Sequence, residues 1–305
     1  MHAEEGGRFD QQQARLLEQA ADELARLDAT FLLAPPSFAL AAQIEATAPR
    51  VEGTPSTAAL LVAALADPLH ADALPADAAA YSEFLREEER RVRGGTTLTA
   101  DRFRDAGLEI RGMAALDKEL RPGGQVRSVL LRAVAAAAAV GSHVSGSAVA
   151  ALLLCAAGVT DRLRLLPFAA LDPATAKHAL DAWYDGDPAD WTNTALSEVA
   201  RAARSRRLDL VDALNTMPDE DARLDALGRA AITARRALQI LRDDLAVSVP
   251  SLAGALGSSR PAASDALDRL VAAEIAVEIT GRARDRVFAL GAALTVVQIA
   301  PRNAA

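Results

Sequence analysis

Cysteine, lysine, histidine and aromatic side chains are all scarce in this sequence of 305 residues. Its single cysteine, Cys155, lies inside an apolar run, which excludes an internal disulfide and a multi-cysteine metal site. As a small buried hydrophobe it needs no redox role. The histidines, His2, His70, His143 and His178, are scattered and give no His-based metal site, so neither a metal nor a cofactor is expected. Aromatics make up 4% of a chain that is 51% hydrophobic, and alanine and leucine supply most of the rest, a balance that favours helices over sheets. No basic-then-apolar leader opens the chain, and Gly158, Thr160 and Asp161 interrupt its longest apolar run. No membrane span is expected, and the expected compartment is the cytoplasm. Lysine occurs only at Lys118 and Lys177, so arginine carries the positive charge, a bias that reads as the mark of a GC-rich bacterial genome. The net charge of −8 and pI near 5.1 argue against wholesale polyanion binding, and any nucleic-acid contact has to come from a local patch.

What is present is organised around Leu130 to Gly158. Two apolar segments rich in small residues flank Gly141-Ser-His143-Val-Ser-Gly146-Ser. Alanine is the best helix former and leaves no bulk between neighbours, so the stretch predicts a close-packed helical hairpin. Gly141 suits a helix C-terminus and the residues after it a helix start. That start offers free N–H groups, which suit either an anion or an ordinary capped turn.

Around this hairpin the periodicity predicts a loose tail over 1–9 and an amphipathic helix over 10–27, with a break at Pro35-Pro36. Further helices are expected over 38–47, 58–65, 77–92, 102–106, 110–120 and 173–184. Trp191 opens a long helix to Leu214, and Pro218 separates it from another over 219–241, whose stripe of Leu224, Leu227, Ala231, Ala234, Leu238 and Leu241 suits a connecting or dimerising role.

The last stretch changes character. Helices are expected over 249–256, capped by Ser248 and stopped by Gly257, and over 260–273, with Pro261 at its start. Ile275 to Ile279 and Arg286 to Leu290 read as two strands joined by a polar turn. Helix, tight turn, helix and hairpin follow the order of a winged helix-turn-helix, which places Ser259, Arg260 and Ser264 at a major groove, with Arg269 further along the same helix. Arg282, Arg284 and Arg286 would serve the phosphates or the minor groove from the wing. From Ile240 to the end seven arginines are offset by seven acidic residues, and Asp265 and Asp268 lie on the reading helix itself. Winged helices also dock proteins, so a protein partner stands beside DNA as a reading. One such module binds weakly, which predicts a homodimer reading two half-sites.

Several stretches together resemble bacterial Fic proteins that carry an N-terminal helical region and a C-terminal winged helix. Glu45 to Thr54 is similar to their Glu-Ala-x-x-Ser-Ser-Arg-Ile-Glu-Gly-Thr signature, Leu163 to Trp191 to the segment after their active-site helix, and Glu278 to Phe288 to their wing. The resemblance implies a transferase of AMP or another phosphate-containing group, with a loop His-Pro-Phe-x-Asp/Glu-Gly-Asn-Gly-Arg-x-x-Arg that supplies a base, a magnesium ligand and phosphate-holding arginines. Laid on this chain, the loop spans Ala136 to Ser147, with counterparts only for Gly141 and Gly146. The base falls on Ala136, the acidic residue on Val140, and the arginines on Val144 and Ser147. Alanine takes no proton and valine binds no magnesium. The family's flap ahead of the loop has no room here. Its inhibitory Ser/Thr-x-x-x-Glu-Gly motif is reduced to Glu52-Gly53, with Ala48 at the hydroxyl position.

The expected architecture is therefore mainly α: an N-terminal helical region over 1–95, a degenerate Fic-like helical core over 96–217, a connecting helix over 218–241, and a winged helix-turn-helix with a small β-hairpin over 242–295. The expected function is a non-catalytic, dimeric, DNA-binding transcriptional regulator, open to a small-molecule effector in the old cleft. The alternatives are a divergent nucleotide transferase using His143, with Ser142 or Ser145 beside it, and a protein-docking adaptor that binds no DNA.

Overall fold

The computed structural model describes residues 3–47, 62–64, 66, 76–121, 126–163, 165–168, 170–226, 228–282 and 284–296. It is mainly helical, with one small antiparallel sheet. The helices are α1 (Ala3–Leu33), α2 (Pro36–Thr47), α3 (Ala76–Arg93), α4 (Ala100–Asp105), α5 (Met113–Leu120), α6 (Val126–Val140), α7 (His143–Ala156), α8 (Pro173–Tyr184), α9 (Pro188–Asp225), α10 (Ile232–Asp244), α11 (Val249–Leu256), α12 (Arg260–Ala272) and α13 (Gly291–Val296). The strands are β1 (Ala246–Ser248), β2 (Ala276–Glu278) and β3 (Val287–Leu290). Contacts divide the chain into two compact units, Met1–Ala29 with Glu83–Arg207 and Thr30–Ser82 with Leu208–Ala305. Among the described residues no helix is long and apolar enough to cross a membrane, and no group of three or more His, Cys, Asp or Glu side chains can hold a metal ion.

The first unit is built on the hairpin of α6 and α7. The alanine run of α6 ends at Gly141, whose φ of +78° makes the left-handed stop that glycine tolerates. Ser142 then caps α7, its hydroxyl accepting from the Ser145 amide at 3.4 Å. The last carbonyls of α6 are satisfied from outside the helix. Ala139 O accepts from Gly112 N at 2.9 Å and Ala138 O from the Tyr184 hydroxyl at 2.5 Å. The two helices approach so closely that a Cβ built on Gly146 would lie 2.6 Å from the Ala137 carbonyl oxygen. Trp191 at the start of α9 is fully buried, donates its ring N–H to Val134 O at 2.8 Å and meets Phe168 edge to face at 5.7 Å. Buried carboxylates are each engaged: Glu88 accepts from Arg102 Nε at 2.6 Å, Glu89 from the Leu163 amide at 3.3 Å, and Glu198 from Arg201 at 2.7 Å. Cys155 is buried, and burial pushes its thiol up to about 11, so it is protonated and inert at neutral pH.

The second unit holds the C-terminal head. α10 and α11 pack on α12, and α2 packs on α10 and α13. The sheet runs in the order β1-β3-β2, both pairs antiparallel, with Phe288 opposite Val247 and Glu278. Flanked on both sides, β3 is buried along its whole length, which explains its unbroken apolar run Val-Phe-Ala-Leu. Ser248 and Ser251 form a reciprocal capping box at the start of α11, and Gly257, at φ +62°, ends it.

Three expectations need correction. Residues 3–9 belong to α1 rather than to a loose tail. Pro218 does not separate two helices. α9 continues through it to Asp225, and the break comes at Gly228, whose φ is +58°. Pro218 removes one amide donor, but the fixed φ of proline is compatible with a helix. The helix expected over 219–241 is therefore two pieces, joined by a short 3-10 turn over Gly228–Ala231, and Leu227 of its stripe lies outside the described residues. Finally, the hairpin gains a third strand, β1, whose three residues Ala-Val-Ser are too short to show alternation. Most of the helix expected over 58–65 lies outside the described residues.

Candidate nucleic-acid interface

The order α10, β1, α11, α12, β2, β3, with a tight turn between α11 and α12 and a loop between β2 and β3, is that of a winged helix-turn-helix. Ser259 caps α12, accepting from the Ala262 amide at 3.4 Å, and Pro261 fills its first turn. Ser259, Arg260 and Ala262 are exposed there.

The wing is held by a side chain that sequence reasoning passed over. Glu278 bends its carboxylate back over the turn, accepting from Thr280 N at 2.8 Å, from Gly281 N at 3.0 Å and from the Thr280 hydroxyl. The same Thr280 oxygen accepts from Val287 N at 3.3 Å, which ties the turn to the returning strand. An acidic residue two places before Thr-Gly was the available signal, since a carboxylate at that offset reaches the amides of the turn. Arg282 and Arg284 lie on this braced loop and are exposed.

The remaining predicted contacts divide by partner. Arg286 lies over the Phe288 ring at 5.0 Å, pairs with Asp268 at 3.3 Å and donates to the Ser264 hydroxyl at 3.4 Å. Ser264 in turn donates to Asp268 at 3.4 Å, so the structure brings Ser264, Asp268 and Arg286 together as a tie between wing and helix. Arg269 pairs with Asp265 at 2.9 Å along α12. Both acidic groups on α12 are thus matched by an arginine, and the Glu278 charge is spent on amides. Among the described residues no hydrogen-bond or ion-pair partner meets Arg260, Arg282 or Arg284. Arg260, Arg282 and Arg284 are thus presented to solvent on α12 and the wing, where Asp285 is the accompanying exposed acidic side chain.

The turn at 141–142, where the resemblance puts a catalytic loop, has a different character. Ala136, Val140 and Ser147 are fully buried, and the Ser147 hydroxyl is occupied in accepting from the Phe168 amide at 2.8 Å. The side chain of Val144 and the whole of Ala48 to Gly53 lie outside the described residues. His143 is half-buried, and burial pushes its pKa below the ordinary histidine value against the opposing charge of Asp172. Asp172 is itself turned to α8, where it caps the helix by accepting from Thr175 N at 2.9 Å. Arg111 stacks on the Tyr184 ring at 5.3 Å. Packed methyl groups at 136 and 140 can neither take a proton nor ligate a metal.

No family model matches the chain, and no curated protein matches it significantly.

Proposed function

We propose that this protein is a DNA-binding transcriptional regulator, a dimer that reads its operator through the winged head, built on a Fic-like helical scaffold that has lost catalysis. The observation that carries the DNA reading is the charge bookkeeping of the head: Asp265 and Asp268 are each paired with an arginine, while Arg260, Arg282 and Arg284 stay exposed. Arg260, at the first turn of α12, suits a guanine edge, and the two wing arginines suit phosphates. These few contacts from one head give weak binding, which is why two half-site readers are proposed. The loss of catalysis is supported by the buried apolar residues at 136 and 140 and by the engaged hydroxyl of Ser147. The Fic ancestry rests on the sequence resemblance alone.

The test is a gel shift with DNA from upstream of the protein's own coding sequence at moderate salt. A sequence-selective shift is expected. In Arg282→Ala/Arg284→Ala the affinity should fall, and the slope of log K against log salt should flatten by roughly 3.6 for the dimer, about 0.9 for each of the four lost phosphate contacts. Absence of any selective shift would overturn the DNA reading. A rise in melting temperature with ATP and magnesium would overturn the loss of nucleotide chemistry.

A further inference from the structure

Beyond its first turn α12 is electrically balanced, Asp265 being matched by Arg269 and Asp268 by Arg286. The body of the helix therefore offers little grip on a phosphate. α10 packs on both α11 and α12 and carries two adjacent, exposed arginines, which the fold treats differently. Arg235 pairs with Asp225 at 2.6 Å. Arg236 donates from Nη2 to the Leu256 carbonyl oxygen at 3.2 Å. Leu256 is the last residue of α11, so this carbonyl lies at a helix end, where the macrodipole favours a cation. Only the turn from Gly257 to Ser259 separates it from Arg260. Arg236 is thereby held beside the turn that leads into α12, and among the described residues no acidic partner meets it. Its guanidinium has further N–H donors to spend.

We propose that Arg236 is a phosphate-binding residue of the DNA interface, gripping the backbone on the side of the turn while Arg282 and Arg284 grip it from the wing. This inference rests on the DNA reading. The wing is tied to α12 at Ser264 and Asp268, further along the helix than Arg260, whereas Arg236 is tied ahead of Arg260. Phosphate contacts carry no sequence information but fix how a reading helix lies in its groove. A grip at one end of α12 would let the helix pivot, and a grip at both ends fixes its tilt and holds Arg260 against one base pair. The guanidinium fork suits a phosphate, and its bond to Leu256 limits the freedom that binding would have to remove.

Arg236→Gln in the full chain tests it, since glutamine removes the charge and keeps an N–H donor. On duplex from upstream of the protein's own coding sequence the salt slope should flatten by roughly 1.8 for the dimer, about 0.9 from each head. The bases preferred in selection from a random-sequence duplex pool should match those of the parent, because a phosphate contact weakens binding uniformly. Arg236→Lys should keep most of the parent slope, and Arg235→Gln, whose arginine is already paired with Asp225, should keep all of it. Phosphate-ethylation interference gives a readout on the parent itself: each half-site should show two groups of interfering phosphates, and the group nearer the turn should vanish in Arg236→Gln. If the parent binds selectively while Arg236→Gln keeps its slope and interference pattern, Arg236 is only a cap on α11, and this inference falls while the DNA reading stands. A single group of interfering phosphates in the parent overturns it as well, even should Arg236→Gln fail to fold. If the parent selects no sequence, the DNA reading falls and takes this inference with it.

Discussion

The turn joining α6 to α7 and the wing joining β2 to β3 are both short polar loops between regular elements, and the chain treats them in opposite ways. At the first, small residues let two helices close on one another. Gly146 lies against the Ala137 backbone, and the α6 carbonyls are taken by Tyr184 and Gly112. At the second, a carboxylate is spent on holding a loop open to solvent, and Arg282 and Arg284 are presented from it. A polar loop is therefore not in itself a site. What separates the two is whether the polar groups satisfy the fold or remain unsatisfied after folding.

The most severe test of that contrast is a pair of glycine-to-alanine changes in helices. Alanine in a helix interior normally stabilises by up to about 1 kcal/mol over glycine. Gly254 of α11 has open space around its Cβ position, so Gly254→Ala should be neutral or stabilising. Gly146→Ala places its Cβ 2.6 Å from Ala137 O and 3.0 Å from Ala137 Cα, and backbone cannot step aside cheaply. It should destabilise by about 1–3 kcal/mol. Thermal melting of both variants reads the signs directly, and a stabilising Gly146→Ala would break the picture of a closed crossing.

Within the head the contrast is sharpened by separating arginines that stay free from the one that braces. Arg286→Ala should weaken DNA binding several-fold, because the wing loses its tie to α12, yet leave the salt slope near that of the parent. Arg282→Ala should flatten the slope by roughly 1.8 for the dimer, about 0.9 from each head. Asp268→Ala should reproduce the Arg286→Ala loss, and the double variant should lose little more, the mark of a shared interaction. If Arg286→Ala flattens the slope as Arg282→Ala does, it is a phosphate contact and the proposed brace is wrong.

Local rules made much of this architecture legible. Proline and glycine punctuation marked α8 and α11 to the residue, and Ser248 and Gly257 announced their own roles, whereas Ser259 reads in sequence only as a groove contact and the structure makes it the cap of α12. The alanine run announced the hairpin, since little besides a close helix crossing makes use of so many small side chains. What escaped was decided by long-range partners. β1 is a strand only because β3 lies beside it, and Pro218 reads locally as a break although the helix carries through it. Among the arginines of the head, the sequence offers no distinction between Arg284 and Arg286 two places apart. That distinction arises when the fold brings Asp268 and Phe288 to one of them.

The smallest expected effect concerns His143, the one titratable side chain in the α6–α7 turn. Burial depresses its folded pKa, so an unfolded chain takes up the proton first as the pH falls through about 6.5. Between that value and the lower folded pKa the unfolded state holds more protons, and stability declines as the pH drops. His143→Gln should flatten this acid-side decline in thermal melts between neutral and mildly acidic pH. Asp172→Asn should widen it, because the carboxylate that favours protonated His143 is gone, while asparagine still caps α8. A parent chain whose acid-side decline is unchanged in His143→Gln would mean that this imidazole titrates freely. The turn would then be open to solvent and chemistry in the way the wing is.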